Sequence, residues 1–356
     1  MEIDDLLKEV VDDEAVSDLH LSVNSKPIIR YNGKIKIIDK YKKKFSPKEL
    51  KEIAKKLMDD QQWDQFQDKG ELDFSYSVPG FSRFRVNAYY QRGAVSIALR
   101  VIPKDIPSID ELNHPDILKK LSLQRKGLIL CTGPTGSGKS TTLAAMINEM
   151  NRKKRRHIIT LEDPIEYLHE HHKSIIHQRE VGLDTTSFTA GLRASLRQDP
   201  DVILVGEMRD LDTISIALQA AETGHLVLAT LHTNNASKTI DRIVDVFPGD
   251  HQEQIRVQLA STLKGVISQQ LLPRADADGR IAALEVLIGT SAVKNIIRDG
   301  KTHQLKSVMQ TGSKFGMMVM DNYLIDLHQK GLIDKQTALR RSDNRDYVKK
   351  RLSNYS

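Results

Sequence analysis

The stretch GPTGSGKST, from Gly133 to Thr141, sets glycines, a lysine and hydroxyls at the spacing G-x-x-x-x-G-K-[ST]. These residue types suit a polyphosphate. Gly133, Gly136 and Gly138 let the backbone turn so that successive N–H groups face phosphate oxygens at a helix N-terminus, with Pro134, Thr135 and Ser137 completing the loop. Lys139 has the reach to meet the β and γ phosphates. The Ser140 hydroxyl, with Thr141 beside it, suits a Mg²⁺ ion carried by the nucleotide. The apolar run GLILCTG before the loop and TTLAAMINEM after it predict the strand and helix that such a loop requires. ATP and Mg²⁺ are therefore the expected ligands.

Transfer of a phosphoryl group to water needs an acid to orient the water and to help hold the metal. DVILVGEMRD, Asp201–Asp210, predicts a strand that ends at Glu207, with Gly206 where such strands usually carry an aspartate. LEDPIE, Leu161–Glu166, supplies Glu162 at the end of another strand. Parallel sheets gather ligands at the carboxyl ends of their strands, so Glu162 and Glu207 should converge there, and either could be the base. Capping of the following helix is the bland alternative for both. GHLVLATLHT places His225 before a strand and His232 after it. His232 is expected to sense phosphate, and His225 either joins the nucleotide site or packs structurally. HEHH, His169–His172, lacks the spacing of a zinc site and lies in a polar connection.

The elements that must position these residues are legible as patterns. From Gly127 onward, GLILCTG, HIITLED, DVILVGE and LVLATLHT alternate with helical stretches, which predicts a mostly parallel sheet covered on both faces. Beyond Ser291 the chain reads as helical. Residues 1–102 read as a smaller α+β domain: a helix over Ile3–Val11, strands in DLHLSV and PIIRYNG with an Asn-Gly turn, a helix opened by Ser46-Pro47, then three strand-like runs. Pro103–Pro115 holds three prolines and no period, as a linker would. The second domain is expected over 116–356, with 291–356 as its helical end.

Composition bounds the class. With 356 residues, 39% hydrophobic and 28% charged, the chain can bury two cores. The acidic, amphipathic start is unlike a signal peptide, and no apolar run reaches the ~18 residues of a membrane span. A single cysteine, Cys131, excludes an internal disulfide and fits a reducing cytoplasm. The net charge of +6 is spread over clusters such as Lys40–Lys44 and Arg152–Arg156. No aromatics interleave with them, so stable nucleic-acid binding is not expected.

Taken in order, the phosphate loop, LEDPIE, LVGEMRD and TGHLVLATLHT resemble the secretion ATPase superfamily of type II and type IV secretion and type IV pili. SDLHLSVNSKPIIRYNGKI, Ser17–Ile35, resembles the PAS-like N-terminal domain of that superfamily. The likeness covers nearly the whole chain and is strongest to the PilT-type retraction ATPases of type IV pili. AVKNIIRD, Ala292–Asp299, is similar to their A-I-R-N-L-I-R-E motif and departs from it at Val293, Lys294, Ile296 and Asp299. Its apolar face is expected to hold Ala292, Val293, Ile296 and Ile297. Met309–Asp321 resembles the segment that comes after that motif in the subfamily. The paired-cysteine zinc module of extension-type and type II relatives needs more cysteines than Cys131, and the extra N-terminal domain of those relatives is not expected here.

The resemblance implies an α/β fold with a PAS-like domain followed by a RecA-like ATPase domain. It implies a homo-hexamer with ATP between subunits, working at the cytoplasmic face of the inner membrane against a platform protein at the pilus base. It also implies that Arg85 and Arg100 complete a neighbouring site, with Arg83 and Arg92 as weaker candidates. The function implied is pilus retraction driven by ATP hydrolysis. The alternatives are a pilus-extension or type II secretion ATPase and a nucleic-acid translocase.

Overall fold

The computed structural model describes residues 3–13, 16–78, 81–103 and 105–353. Lys104 of the expected linker, Met1 and Glu2 of the N-terminal helix region and residues 354–356 of the helical end lie outside the described residues. The chain divides into two compact units, 1–105 with 166–168 and 106–165 with 169–356.

Among the described residues the first unit is an antiparallel sheet with three helices. Its strands are β1 (Val16–Leu21), β2 (Ile28–Tyr31), β3 (Lys34–Ile37), β4 (Glu71–Val78), β5 (Ser82–Gln91) and β6 (Ala94–Ile102), and its helices are α1 (Ile3–Val11), α2 (Pro47–Leu57) and α3 (Asp60–Lys69). The strand order is β3-β2-β1-β6-β5-β4. Asn32 and Gly33 close the β2–β3 hairpin at φ 47° and 77°, the left-handed pair that a tight hairpin turn requires. Ser46 and Glu49 form a reciprocal cap on α2. Arg92 sits in the β5–β6 turn at φ 51°.

The second unit is built on a seven-stranded sheet. Its strands are β7 (Gly127–Thr132), β8 (His157–Glu162), β9 (Ile175–Glu180), β10 (Val202–Val205), β11 (Leu226–Leu231), β12 (Leu263–Pro273) and β13 (Arg280–Ile288). The order is β13-β12-β7-β11-β10-β8-β9. β13 pairs antiparallel with β12, and the other neighbours are parallel. Around the sheet lie α4 (Ile117–Ser122), α5 (Lys139–Lys153), α6 (Phe188–Ser195), α7 (Leu211–Thr223), α8 (Ala236–Asp245) and α9 (Gln252–Thr262). The expected helical end comes next as α10 (Ser291–Arg298), α11 (Leu305–Thr311), α12 (Met320–Gln329), α13 (Lys335–Arg341) and α14 (Arg345–Ser353).

Alternation along β7 shows why the sheet needs cover on both faces. Leu128 and Leu130 enter one core, while Ile129 and Cys131 enter the other. Burial pushes the Cys131 thiol up to about 12, so it behaves as a small hydrophobe.

Several features differ from expectation, β12 and β13 among them. β9 hides in the polar stretch after HEHH, because an edge strand has few apolar positions to betray it. Residues 106–115, expected as linker, belong to the second unit: Ile109 and His114 are buried there. The prolines forbid regular structure but not burial.

Candidate active site

β7 delivers the loop. Gly133, Gly136 and Gly138 adopt φ 148°, 76° and 86°, a region that favours glycine. A Cβ on Gly133 would lie 2.3 Å from the Gln269 carbonyl oxygen, and one on Gly138 would lie 2.8 Å from Gln269 Nε2. Gly138 is the N-cap of α5, so the loop ends on a helix N-terminus with its partial positive charge. Pro134, Thr135 and Gly136 are exposed, while Ser137 and Lys139 are buried. Lys139 Nζ donates to the carbonyls of Gly133 (2.8 Å) and Pro134 (3.1 Å), so its charge is held inside the loop. Ser140 and Thr141 come next, half-buried, in the first turn of α5. This glycine cradle with an enclosed lysine fits a nucleotide polyphosphate.

The parallel order places the acids. β11 lies between β7 and β10, so His232, one residue past β11, stands between the loop strand and the strand of Glu207. His232 Nε2 is 3.1 Å from Glu207 Oε1, and Arg209 Nη2 is 2.6 Å from Glu207 Oε2. Burial pushes the Glu207 carboxyl up. The Arg209 hydrogen bond and the charges of His232 and Arg209 outweigh that and hold it below the ordinary glutamate range.

Glu162 ends β8, the other neighbour of β10. It accepts from Thr160 Oγ1 at 2.6 Å and from Gln178 Nε2 at 3.1 Å. The two acids therefore share one sheet edge but have different partners. Arg209 was not singled out from the sequence, although the GEMRD run contained it.

His225 corrects an expectation. It precedes the first residue of β11, and its carbonyl pairs with Gly127 N at the start of β7. A six-residue strand is about 20 Å long, so within this chain His225 lies at the opposite sheet edge from the loop. There its Nδ1 lies 3.0 Å from the Ala220 carbonyl at the end of α7, the bland role weighed for it.

The first unit brings Arg85 and Arg100 together. They are direct cross-strand partners on β5 and β6, and Asp18 on β1 is the partner of Arg100 on its other side. Arg30 on β2 pairs with Asp18 in turn, so one face carries the row Arg30–Asp18–Arg100–Arg85. Arg100 Nε donates to Asp18 Oδ1 at 2.8 Å, yet the Arg100 side chain is 67% exposed. Arg85 Nε lies 3.9 Å from Asp73 Oδ1. Asp18 is the neighbour of the arginine pair that sequence patterns did not single out; its signal was the alternation in SDLHL.

A family model described as "Type II/IV secretion system protein" matches residues 2–353. The type IV pilus retraction ATPase PilT of Pseudomonas aeruginosa is 48% identical over 328 residues, covering 91% of this chain and 94% of that protein. The type IV pilus ATPase PilU of the same organism is 43% identical over 344 residues, covering 97% of this chain and 89% of its own length. The crystal structure of the pilus retraction motor PilT with bound ADP matches with a TM-score of 0.91 at 46% identity, over 98% of this chain and 99% of that one. With this loop and this acid edge, and matched along almost all of its length, the chain belongs to the type II/IV secretion system protein family.

Proposed function

We propose that this chain is an ATP-hydrolysing motor that powers retraction of a type IV pilus. The observation that carries the proposal is Glu207, an anionic carboxylate at a strand end two strands from the phosphate loop, with His232 between. Similarity to the Pseudomonas PilT and to the ADP-bound retraction motor supports the choice of polymer and direction. Mg²⁺ would neutralise charge on the phosphates as they part. Among the described residues no group of three or more His, Cys, Asp or Glu could hold a metal, so the ion would arrive with the nucleotide and meet Ser140, with Glu207 nearby.

Lys139 exchanges the Gly133 and Pro134 carbonyls for phosphate oxygens when nucleotide binds. Glu207, held as the anion, orients the attacking water, and Glu162 on the adjoining strand shares that work. His232 reports the terminal phosphate to Glu207. Arg100 and Arg85 act on the site of another copy in a ring of six, where a planar, permanently charged fork can take two phosphate oxygens. α10 and its C-cap expose Asn295, Arg298 and Asp299, which suits a face turned toward the membrane platform at the pilus base. Among the described residues no helix is long and apolar enough to cross a membrane, so the motor would reach the inner membrane through that partner.

The test is a cell lacking this gene, complemented with the wild-type chain or with Glu207→Gln. The expected result is many surface pili and no twitching in the deletion, reversed only by the wild type. The purified variant should lose about 10²-fold or more in hydrolysis, as when a transition-state stabiliser is removed. Bald cells would mean assembly instead of retraction, and normal turnover by Glu207→Gln would remove the residue from the mechanism.

A further inference from the structure

The peptide that joins Ser137 to Gly138 is one that could turn over. Gly138 sits at φ 86°, and glycine passes between hands at little steric cost. In a trans peptide the carbonyl of one residue and the N–H of the next point in opposite directions. The direction of the Ser137 carbonyl therefore decides whether the Gly138 N–H faces the phosphates.

Gln269, buried on β12, grips that carbonyl: its Nε2 donates to Ser137 O at 2.7 Å. Its Oε1 accepts from Thr142 Oγ1 at 2.8 Å, and the same Oγ1 lies 2.9 Å from His114 Nε2. The polarity of this chain has one consistent solution. A carbonyl can only accept, so the Gln269 NH₂ must face Ser137 and its oxygen must face Thr142. Thr142 then spends its one proton on Gln269, and His114 must carry its proton on Nε2. Burial pushes the His114 imidazole down to about 4, so the ring is neutral with that single N–H. Among the described residues its Nδ1 is buried without a partner, which suits a bare acceptor better than a second N–H. Independently, the backbone and side chain of Gln269 close on Gly133 and Gly138, leaving no room for a Cβ at either.

We propose that Gln269 is a positioning residue for nucleotide: it locks the Ser137–Gly138 peptide with its N–H toward the phosphates, and His114, acting through Thr142, holds the Gln269 amide in the orientation that does so. This rests on the reading of the loop as a nucleotide site and assigns it a lock outside the phosphate-loop motif. His114 comes from the proline-rich stretch at the start of the second unit, so that stretch touches the loop through three side chains.

The experiment measures binding of fluorescently labelled ADP with Mg²⁺, and KM against kcat for ATP, on the full-length chain. Gln269→Leu is expected to weaken ADP binding about tenfold or more and to raise KM with it, because a buried carbonyl loses its donor and the peptide is free to flip. His114→Leu should weaken binding a few-fold. His114→Gln, whose amide N–H reaches the place of Nε2, should restore most of it, and a merely space-filling role would not distinguish the two. Wild-type affinity in folded Gln269→Leu would overturn the proposal. So would equal affinity in His114→Leu and His114→Gln, the pair that decides if Gln269→Leu does not fold. A wild-type chain that binds neither ADP nor ATP would instead overturn the proposed function itself.

Discussion

At Gly206, where a strand-end acid was expected by analogy, any side chain would be crowded. A Cβ there would lie 3.0 Å from the Leu161 carbonyl oxygen and 3.4 Å from Glu162 Cα. Gly206 N also donates to that carbonyl at 2.7 Å, so β10 is drawn tightly against β8. On the proposed mechanism the acid role passes one residue on, to Glu207, whose side chain meets Arg209 and His232. Asp18 is a second case of a carboxylate defined by its neighbours. Burial pushes its carboxyl up, but hydrogen bonds from Ser17 and Arg100 and the charge of Arg100 hold it below the ordinary aspartate value. A carboxyl depressed in the folded state contributes stability above its unfolded pKa, which is lost as pH falls through the folded value. Asp18→Asn should therefore cost the first unit about 1 kcal/mol between pH 5 and 8. The difference from wild type should shrink below about pH 4. Urea unfolding at pH 7 and pH 3 checks this, and a gap of equal size at both pH values would exclude the carboxylate as its source.

In α10 the packing residues and the exposed residues proposed to face the platform fall on different sides of one short element. Thr290 caps it by accepting from Val293 N, and Val293 and Ile297 are fully buried, with Ile296 half-buried. Ala292, expected on the apolar face, is exposed, because the buried stripe is set by i and i+4 and Ala292 falls beside it. The helix packs against α9 and leads into a turn whose Thr302 carbonyl accepts from Ser237 on α8, the helix that comes after the His232 strand end. Packing and function can thus be separated. Ile297→Ala should lower stability by about 2–5 kcal/mol, whereas Arg298→Ala should stay within about 0.5 kcal/mol yet abolish twitching. Thermal melts of both variants alongside motility decide it. An Arg298→Ala strain that twitches normally would reduce α10 to a packing helix.

At the scale of the whole molecule, the loop and acids belong to one unit and the paired arginines to the other. If the arginines serve a neighbouring copy, two inactive variants should rescue each other. Arg100→Ala and Lys139→Ala, each deficient alone, should regain a measurable share of turnover when mixed, because some interfaces then join an intact loop to an intact arginine. Activity that stays at the sum of the two variants at every ratio would show that Arg100 does not act across copies.

The sequence by itself determined the chemistry that is local in the chain. The glycines, Lys139 and Ser140 lie within nine residues, so their spacing encodes the cradle directly. The buried parallel strands declared themselves as apolar runs, and Asn32-Gly33 named its own turn. Tertiary structure decided the features that depend on partners distant in sequence. It set Gln269, 132 residues from Ser137, over the loop, and it put Asp18 beside Arg100, 82 residues away. It took β9 and β12 into the sheet, sent His225 to the far edge, and folded the proline-rich stretch onto α5 through His114. The reason is physical: a phosphate loop is specified by backbone dihedrals that each residue type controls locally. A buried glutamine or a cross-strand aspartate is chosen by a neighbour that no local pattern reveals.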